Sequence, residues 1–119
     1  MGALISYYAA VKYPVVFGKA GIFSPAFLTA SGINALTDSL AAALKGKYFF
    51  YMGGKEGDDD LKRMINIKEK VGANSSAMVY SVIDPGGKHN EAAWRKWFAE
   101  FYNFIMAVFT LYPSAIMKL

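Results

Sequence analysis

The sequence contains no cysteine and a single histidine, His89, among its 119 residues. Without cysteine the chain has no disulfide scaffold, no thiolate zinc site, no iron–sulfur cluster and no cysteine nucleophile. One imidazole is also too few for a histidine-based metal site. We therefore expect no bound metal, and we expect any chemistry to proceed without a metal or an organic cofactor.

Charged side chains are scarce as well. They form 18% of the sequence, against 55% hydrophobic and 16% aromatic residues, a balance that excludes the disordered class and indicates a folded core. The 13 basic and 9 acidic residues leave a net charge of +4. The basic residues are spread over several segments and alternate with acidic ones, unlike a stripe that follows phosphates, so we expect no nucleic-acid partner.

The sequence also lacks a long hydrophobic run. The longest, from Phe104 to Tyr112, is interrupted by Thr110 and followed by Pro113. A membrane-spanning helix needs roughly 18 to 20 apolar residues, so we expect no membrane partner. The first residues lack the basic region of a signal peptide. We expect a cytoplasmic protein, although a signal peptide would be lost if the chain lacked its native N-terminal half.

Helical and strand patterns alternate along the chain. Apolar spacing and capping residues predict helices over Gly2–Lys12, over Ser31–Leu44, from Asp58 and from about Asn90. Short apolar runs predict strands over Val15–Phe23, Lys47–Met52 and Ala77–Ile83. This order predicts one α/β domain over residues 1–119, with three layers and a short parallel sheet of about three strands.

Two of the predicted helices carry particular expectations. The first is apolar or small on nearly every side, which predicts a helix buried over most of its surface. The last carries an apolar stripe that we expect to pack on the sheet as core. That stripe consists of Trp94, Trp97, Phe98, Phe101, Ile105 and Val108.

Three segments resemble the esterase family of α/β hydrolases that includes enterochelin esterases, esterase D and feruloyl esterases. They are MGALISYYAAVKYPVVFGKAGIFSPAF at 1–27, YFFYMGGKEGD at 48–58 and VIDPGGKHNEAAWRKWFAEFYNFI at 82–105. The resemblance covers roughly residues 1–107, and the tail at 108–119 matches nothing in the family. It implies a partial α/β-hydrolase fold and ester hydrolysis.

The family carries its nucleophilic serine in a G-x-S-x-G turn between a strand and a helix. On this resemblance Gly2 is the last glycine of the turn, and Met1 is the residue that follows the nucleophile. The backbone N–H of Met1 would then belong to the oxyanion hole. The serine would stand one position before Met1, and none of the serines in this sequence lies in a G-x-S-x-G motif. The resemblance therefore implies the C-terminal half of a hydrolase without its nucleophile.

The resemblance also assigns an acid and a base. The family histidine follows a strand and a glycine-rich turn, and it matches His89 in GGKHNEAAW. The acid follows the preceding strand, where Glu56 in GGKEG is the nearest match and Asp58 is the alternative. The helical register of the residues that follow Asp58 favours its interpretation as the N-cap of the next helix over that as the acid. Ser24, before Pro25, could line a substrate pocket or form only the turn after the first strand.

These observations leave two functional hypotheses. The chain could derive from a serine carboxylesterase that acts on an ester substrate by acyl transfer, with the nucleophile missing here. Alternatively, it is a non-catalytic folded module that associates through surfaces that the missing half would cover. The apolar first helix and an unpaired edge of the first strand predict a homo-oligomer, most simply a two-fold dimer.

Overall fold

The computed structural model describes residues 1–107 and 115–118. Within these ranges, helices and strands alternate strictly, with short 3₁₀ turns at Phe27–Thr29 and Ala41–Ala43. The helices are α1 (Gly2–Lys12), α2 (Ile33–Leu40), α3 (Asp58–Asn74) and α4 (Glu91–Met106). The strands are β1 (Lys19–Phe23), β2 (Lys47–Gly53), β3 (Met78–Asp84) and β4 (Ala115–Lys118). The predicted α/β class is confirmed.

The strands form one parallel sheet in the order β1-β2-β3-β4. The three strands that the sequence predicts are adjacent in it, and β4 adds a strand in the tail, where no element was predicted. Because the strands are parallel, the loops that follow β1, β2 and β3 leave from the same edge of the sheet. Gly53 at the end of β2 lies opposite Asp84 at the end of β3.

Helices cover both faces of the sheet, as a three-layer arrangement requires. Side chains alternate along β2, so that Tyr48, Phe50 and Met52 face one core and Phe49 and Tyr51 face the other. The first core also contains buried residues of α1, α2 and α3, and the second contains aromatic residues of α4. None of the helices in the described ranges is long and apolar enough to cross a membrane.

The N-terminal quarter of the chain differs from the expectation. In α1 only Tyr7, Ala10 and Val11 are buried, whereas Ile5 and Tyr8 are exposed, so the prediction of burial on most sides is wrong. The first strand is also shorter than predicted, because residues 14–16 form a turn and β1 begins at Lys19. The N–H groups of Val16 and Phe17 both donate to the Tyr13 carbonyl, which leaves them unavailable to the sheet.

The apolar stripe of α4 is only partly a core stripe. Phe98 is 55% exposed, because it faces a cleft rather than the sheet. Phe104, which the stripe omits, is fully buried instead and packs on Tyr80. Val108, the last residue of the predicted stripe, lies outside the described residues.

Candidate active site

Two glycine-rich loops meet at the carboxyl edge of the sheet, one after β2 and one after β3. The N–H of Gly54 donates to the Asp84 carbonyl at 2.6 Å, and the N–H of Lys55 donates to the Gly87 carbonyl at 3.0 Å. A Cβ atom at Gly53 would collide with the Gly87 carbonyl, and one at Gly54 would collide with the backbone of Pro85. Direct backbone contact between the loops therefore determines their spacing.

Each of these loops carries one of the residues that the sequence selects. Glu56 and His89 are 33 positions apart, and the distance from Glu56 Oε1 to His89 Nδ1 is 2.8 Å. The Glu56 side chain is 5% exposed, whereas that of His89 is 61% exposed. The structure thus places a buried carboxylate against one nitrogen of an imidazole that is accessible to solvent.

The second oxygen of Glu56 is held from two other directions. Ser24 Oγ donates to Oε2 at 2.6 Å, and the N–H of Gly53 donates to the same oxygen at 2.7 Å. An ionised carboxylate only accepts hydrogen bonds, so it can serve all three neighbours at once. These contacts leave Oε1 for the imidazole and restrict the rotation of the carboxylate.

Ser24 follows β1 at the same edge, and its backbone is unusual. Its φ of +54° lies in the left-handed region, which a residue other than glycine adopts only at a cost. The buried hydroxyl accepts a hydrogen bond from Trp94 Nε1 at 2.9 Å. The Trp94 ring also contacts His89 edge-on, with ring centroids 5.1 Å apart. Trp94, Ser24, Glu56 and His89 therefore form a closed ring of contacts.

This ring borders a cleft of about 810 Å³. Gly21, Phe23 and Ser24 of the β1 region form one part of the cleft wall. The N-terminal residues Met1, Gly2 and Ala3 form a second part. The remainder is formed by His89 and by residues of α4, namely Glu91, Trp94, Arg95, Phe98, Ala99 and Phe101. Met1, the residue expected at the oxyanion hole, thus borders the same cleft as the imidazole.

The alternative acid, Asp58, occupies a different place. Asp58 is the first residue of α3, and it is exposed to solvent. Among the described residues, the carboxylate that contacts His89 is that of Glu56. The interpretation of Asp58 as an N-cap is also wrong, because Gly57 occupies the N-cap position. Gly57 has a φ of +120°, a conformation that favours glycine over aspartate. Asp58 instead places its charge in the first turn, where the helix dipole favours an anion.

A second carboxylate, Asp84, ends β3 beside the site. Trp97 Nε1 donates to its Oδ2 at 3.0 Å, and the N–H of Gly86 donates to Oδ1 at 3.2 Å. Lys96 Nζ lies 3.4 Å from Oδ2. The hydrogen bond from Trp97 lowers the pKa of Asp84, and Lys96 and Gly86 add to that effect against the desolvation that raises it.

Tyr51 of β2 lies next to both carboxylates. Burial raises its pKa to about 12, and the charges of Asp84 and Glu56 act in the same direction. A Cβ atom at Gly87 would collide with its hydroxyl, so the turn after β3 rests directly on this side chain. Tyr51 therefore remains a neutral phenol over the ordinary pH range and acts here as a support for the turn.

The geometry assigns a distinct role to each imidazole nitrogen. A carboxylate at Nδ1 favours the tautomer that carries its proton there, which leaves Nε2 as a proton acceptor. Within residues 1–107 no hydrogen bond engages Nε2. The Ser24 hydroxyl is not a substitute nucleophile, because its proton is directed to Glu56 rather than to an imidazole. The site can thus supply a base and its orienting acid.

Two members of the site were not identified from the sequence as its parts. The sequence predicts Ser24 only at a pocket or a turn, and it places Trp94 in the core stripe. Spacing along the helix does not reveal the role of Trp94. The chemical nature of its side chain does, since a largely buried indole N–H requires a hydrogen-bond acceptor.

No protein-family model, no curated protein and no solved structure matches the chain. The function of this chain is therefore inferred from the geometry of the site.

Proposed function

We propose that Glu56 and His89 are the acid and the base of a Ser-acid-His ester hydrolase, and that this chain corresponds to the C-terminal half of such an enzyme. The observation that carries the proposal is the 2.8 Å contact between Glu56 Oε1 and His89 Nδ1 at the edge of an open cleft. An imidazole oriented by a buried carboxylate is the arrangement that a general base of this class requires. The nucleophilic serine lies outside the 119 residues in this proposal.

The proposed reaction uses each group in turn. The serine oxygen attacks the ester carbonyl while His89 Nε2 accepts its proton, and the Glu56 carboxylate stabilises the resulting imidazolium. The N–H of Met1 would stabilise the oxyanion. Nε2 then returns the proton to the leaving alcohol, and water hydrolyses the acyl-enzyme by the same route. Neither a metal nor an organic cofactor takes part.

The position of the N-terminus supports this proposal. Met1, Gly2 and Ala3 line the same cleft as His89, so a serine joined to Met1 would stand next to that cleft. Met1 precedes α1 directly, and its carbonyl accepts the N–H of Ile5 in the first helical turn. A nucleophile before a helix start also benefits from the positive end of the helix dipole.

The first experiment uses the 119-residue chain alone. We expect no hydrolysis of p-nitrophenyl esters above the level of His89→Ala, and no labelling by a fluorophosphonate probe, because a base without a nucleophile accelerates the attack of water only weakly. Turnover by the chain that is abolished in His89→Ala would contradict the proposal, since it would require a nucleophile within these residues.

The second experiment supplies the polypeptide encoded upstream of Met1. We expect an in-frame Gly-x-Ser directly before Met1, and an extended chain that hydrolyses p-nitrophenyl esters. His89→Ala should then lower kcat by about 10⁴-fold or more, since a triad without its base retains only residual catalysis. Glu56→Gln should lower it substantially, whereas Asp58→Asn, the matched control, should leave it unchanged. An upstream sequence without this serine would refute the proposal.

A second candidate function, a self-associating module, rests on exposed apolar surface. The turn before β1 exposes Val15 (98%) and Val16 (71%). Ile5 and Tyr8 of α1 are also exposed and line an apolar groove of about 440 Å³ against α2. β1 pairs on one side only among the described strands. Surfaces of this kind favour a partner, and we propose a second copy of this chain in a two-fold dimer.

Light scattering at micromolar concentration tests this second candidate. We expect a dimer with an interface of about 2,000 Å² or more. The double variant Val15→Lys, Val16→Lys should shift it to a monomer that remains folded, because both side chains are exposed in the single chain and support no core. A control that adds the same charge at exposed positions of another region, Ala73→Lys with Ser76→Lys, should remain dimeric. A monodisperse wild-type monomer would eliminate this candidate.

A further inference from the structure

Beyond the proposed acid and base, the site contains two consecutive hydrogen bonds, from Trp94 to Ser24 and from Ser24 to Glu56, whose donors and acceptors are fixed. An indole N–H only donates, so the hydrogen bond between Trp94 and Ser24 runs from Nε1 to Oγ. The single hydroxyl proton of Ser24 is then directed to Glu56 Oε2. The chain of donors therefore ends on the carboxylate oxygen that does not contact the imidazole.

We propose that Ser24 and Trp94 are positioning residues that hold the Glu56 carboxylate, so that Oε1 faces His89 and keeps the imidazole proton on Nδ1. This inference rests on the proposed function, because it assigns a purpose to the orientation of the proposed acid and base. It adds two residues that are separated by 70 positions and that no motif in the sequence connects.

The geometry supports this assignment in three ways. First, the Glu56–Ser24 contact of 2.6 Å has the length of a charge-assisted hydrogen bond, in which a hydroxyl donates to an ionised oxygen. Second, Trp94 contacts both Ser24 and His89, since its Nε1 donates to the Ser24 hydroxyl and its ring packs edge-on against the imidazole. Indole and carboxylate thus confine the imidazole from two sides.

The third support is the backbone of Ser24. A φ of +54° is unfavourable for serine, and glycine would occupy the position without strain. The hydroxyl that glycine would lack is the group that contacts both Glu56 and Trp94. The turn alone would favour glycine at position 24, whereas the hydrogen bonds to Glu56 and Trp94 require a hydroxyl. The presence of serine therefore indicates that these side-chain contacts determine the residue type.

The single imidazole of this chain permits a direct test. In the ¹⁵N-labelled 119-residue protein, long-range ¹H–¹⁵N spectra contain the nitrogens of one histidine only, and they distinguish a protonated nitrogen from an acceptor. With neutral imidazole, we expect wild-type His89 to carry its proton on Nδ1 and to present Nε2 as an acceptor. The indole N–H resonances of the two tryptophans report the Trp94 hydrogen bond in the same sample.

Two variants remove the proposed positioning groups. Ser24→Gly removes the hydroxyl and relieves the backbone, so the variant should fold with a Tm close to that of the wild type. Trp94→Phe removes the indole donor while keeping an aromatic ring. In both we expect the Nδ1–H form to decrease from nearly complete to a mixture of tautomers, and in Ser24→Gly the Trp94 indole resonance should move.

Matched controls separate positioning from general loss of packing. Ser81→Ala removes a hydroxyl of another buried serine, in β3, and Trp97→Phe removes the indole that binds Asp84. Both controls should retain the wild-type tautomer, even where they lower Tm. This readout is unaffected by a merely structural role, because a less stable protein that remains folded keeps its local hydrogen bonds.

The possible results separate this inference from the proposed function. If the wild type carries Nδ1–H and neither Ser24→Gly nor Trp94→Phe changes the tautomer, the positioning roles are refuted while the acid–base pair stands. A Trp94 resonance that is unchanged in Ser24→Gly would also refute them. If the wild-type imidazole instead carries its proton on Nε2, the proposed base is wrong, and the positioning roles fail with it.

Discussion

Two carboxylates lie close together after neighbouring strands, Glu56 in the loop after β2 and Asp84 at the end of β3. Their hydrogen-bond donors are similar in kind, but the consequences differ. Asp84 is held by Trp97, Lys96 and the N–H of Gly86, which are permanent donors. Glu56 is held by Ser24 and the N–H of Gly53, but its third partner is the exposed His89. A carboxylate surrounded by fixed donors ties one turn to one helix. A carboxylate whose partner is an imidazole, which carries its proton on either of two nitrogens, can instead control where that proton resides.

The largest effect that this comparison predicts is on stability. Asp84→Ala removes the acceptor of three donors and leaves the Trp97 N–H without its partner. We expect a loss of about 2 to 3 kcal/mol in the free energy of unfolding, the range for a largely buried, charge-assisted hydrogen-bond group. Urea denaturation measures it. A loss below about 1 kcal/mol would mean that Asp84 is not the structural member of the pair.

The two tryptophans form the next test. Trp97→Phe removes a hydrogen bond to a charged group, and we expect it to lower the free energy of unfolding by about 1 to 2 kcal/mol. Trp94→Phe removes a bond to a neutral hydroxyl, and we expect about 0.5 to 1 kcal/mol. Urea midpoints of the two variants under identical conditions give the ranking. A reversed order would undermine the distinction between the two carboxylates.

Acid provides a third test, because the pKa of Asp84 is lowered in the folded chain. A carboxyl group with a lowered folded pKa stabilises the protein above its unfolded pKa, and this contribution is lost as the pH falls through the folded value. The difference in stability between the wild type and Asp84→Asn should therefore be largest near neutrality and shrink between about pH 5 and pH 2. Urea titrations at several pH values would detect it, and a difference that stays constant with pH would contradict a lowered pKa for Asp84.

The smallest predicted effect is that of His89 on stability. Because 61% of its side chain is exposed, His89→Ala should change the free energy of unfolding by no more than about 0.5 kcal/mol. The same substitution should reduce hydrolysis in the extended chain to a residual level. Thermal and urea unfolding measure the first result. A loss comparable to that of Asp84→Ala would mean that His89, too, is primarily a structural residue.

The meeting of the loops that carry Glu56 and His89, the proposed acid and base, was predictable from the sequence because parallel strands impose a strong constraint. Once Lys47–Met52 and Ala77–Ile83 are recognised as neighbouring parallel strands, the segments after them must meet at one edge, which brings Glu56 and His89 together. The alternation of strand and helix patterns supplies this step, whereas the choice of Glu56 and His89 within the loops comes from the resemblance to the esterase family. Apolar spacing also locates α1, which Pro14 follows, and the start of α3, which three aspartates mark.

The remaining errors share a cause, namely that apolar residue type does not specify which surface a side chain faces. Val15 and Val16 are β-branched and apolar, and they predict a strand, yet hydrogen bonds to Tyr13 place them in an exposed turn. Phe98 fits the core stripe but faces the cleft. Trp94 fits the same stripe, and only its N–H reveals its contact with Ser24. These assignments depend on tertiary contacts that periodicity does not encode.

The contact between the two glycine-rich turns has a consequence for how this chain tolerates change. Gly53 and Gly54 lie directly against Gly87 and Pro85, and the Gly87 turn rests on Tyr51, so the separation of Glu56 and His89 depends on these contacts more than on the rest of the hydrophobic cores. Core substitutions away from Tyr51 can alter stability and leave this separation intact. In contrast, a single methyl group added at Gly53 or Gly87 would collide with the facing loop and push the two loops apart. Core positions other than Tyr51 can therefore change residue type where these glycines cannot.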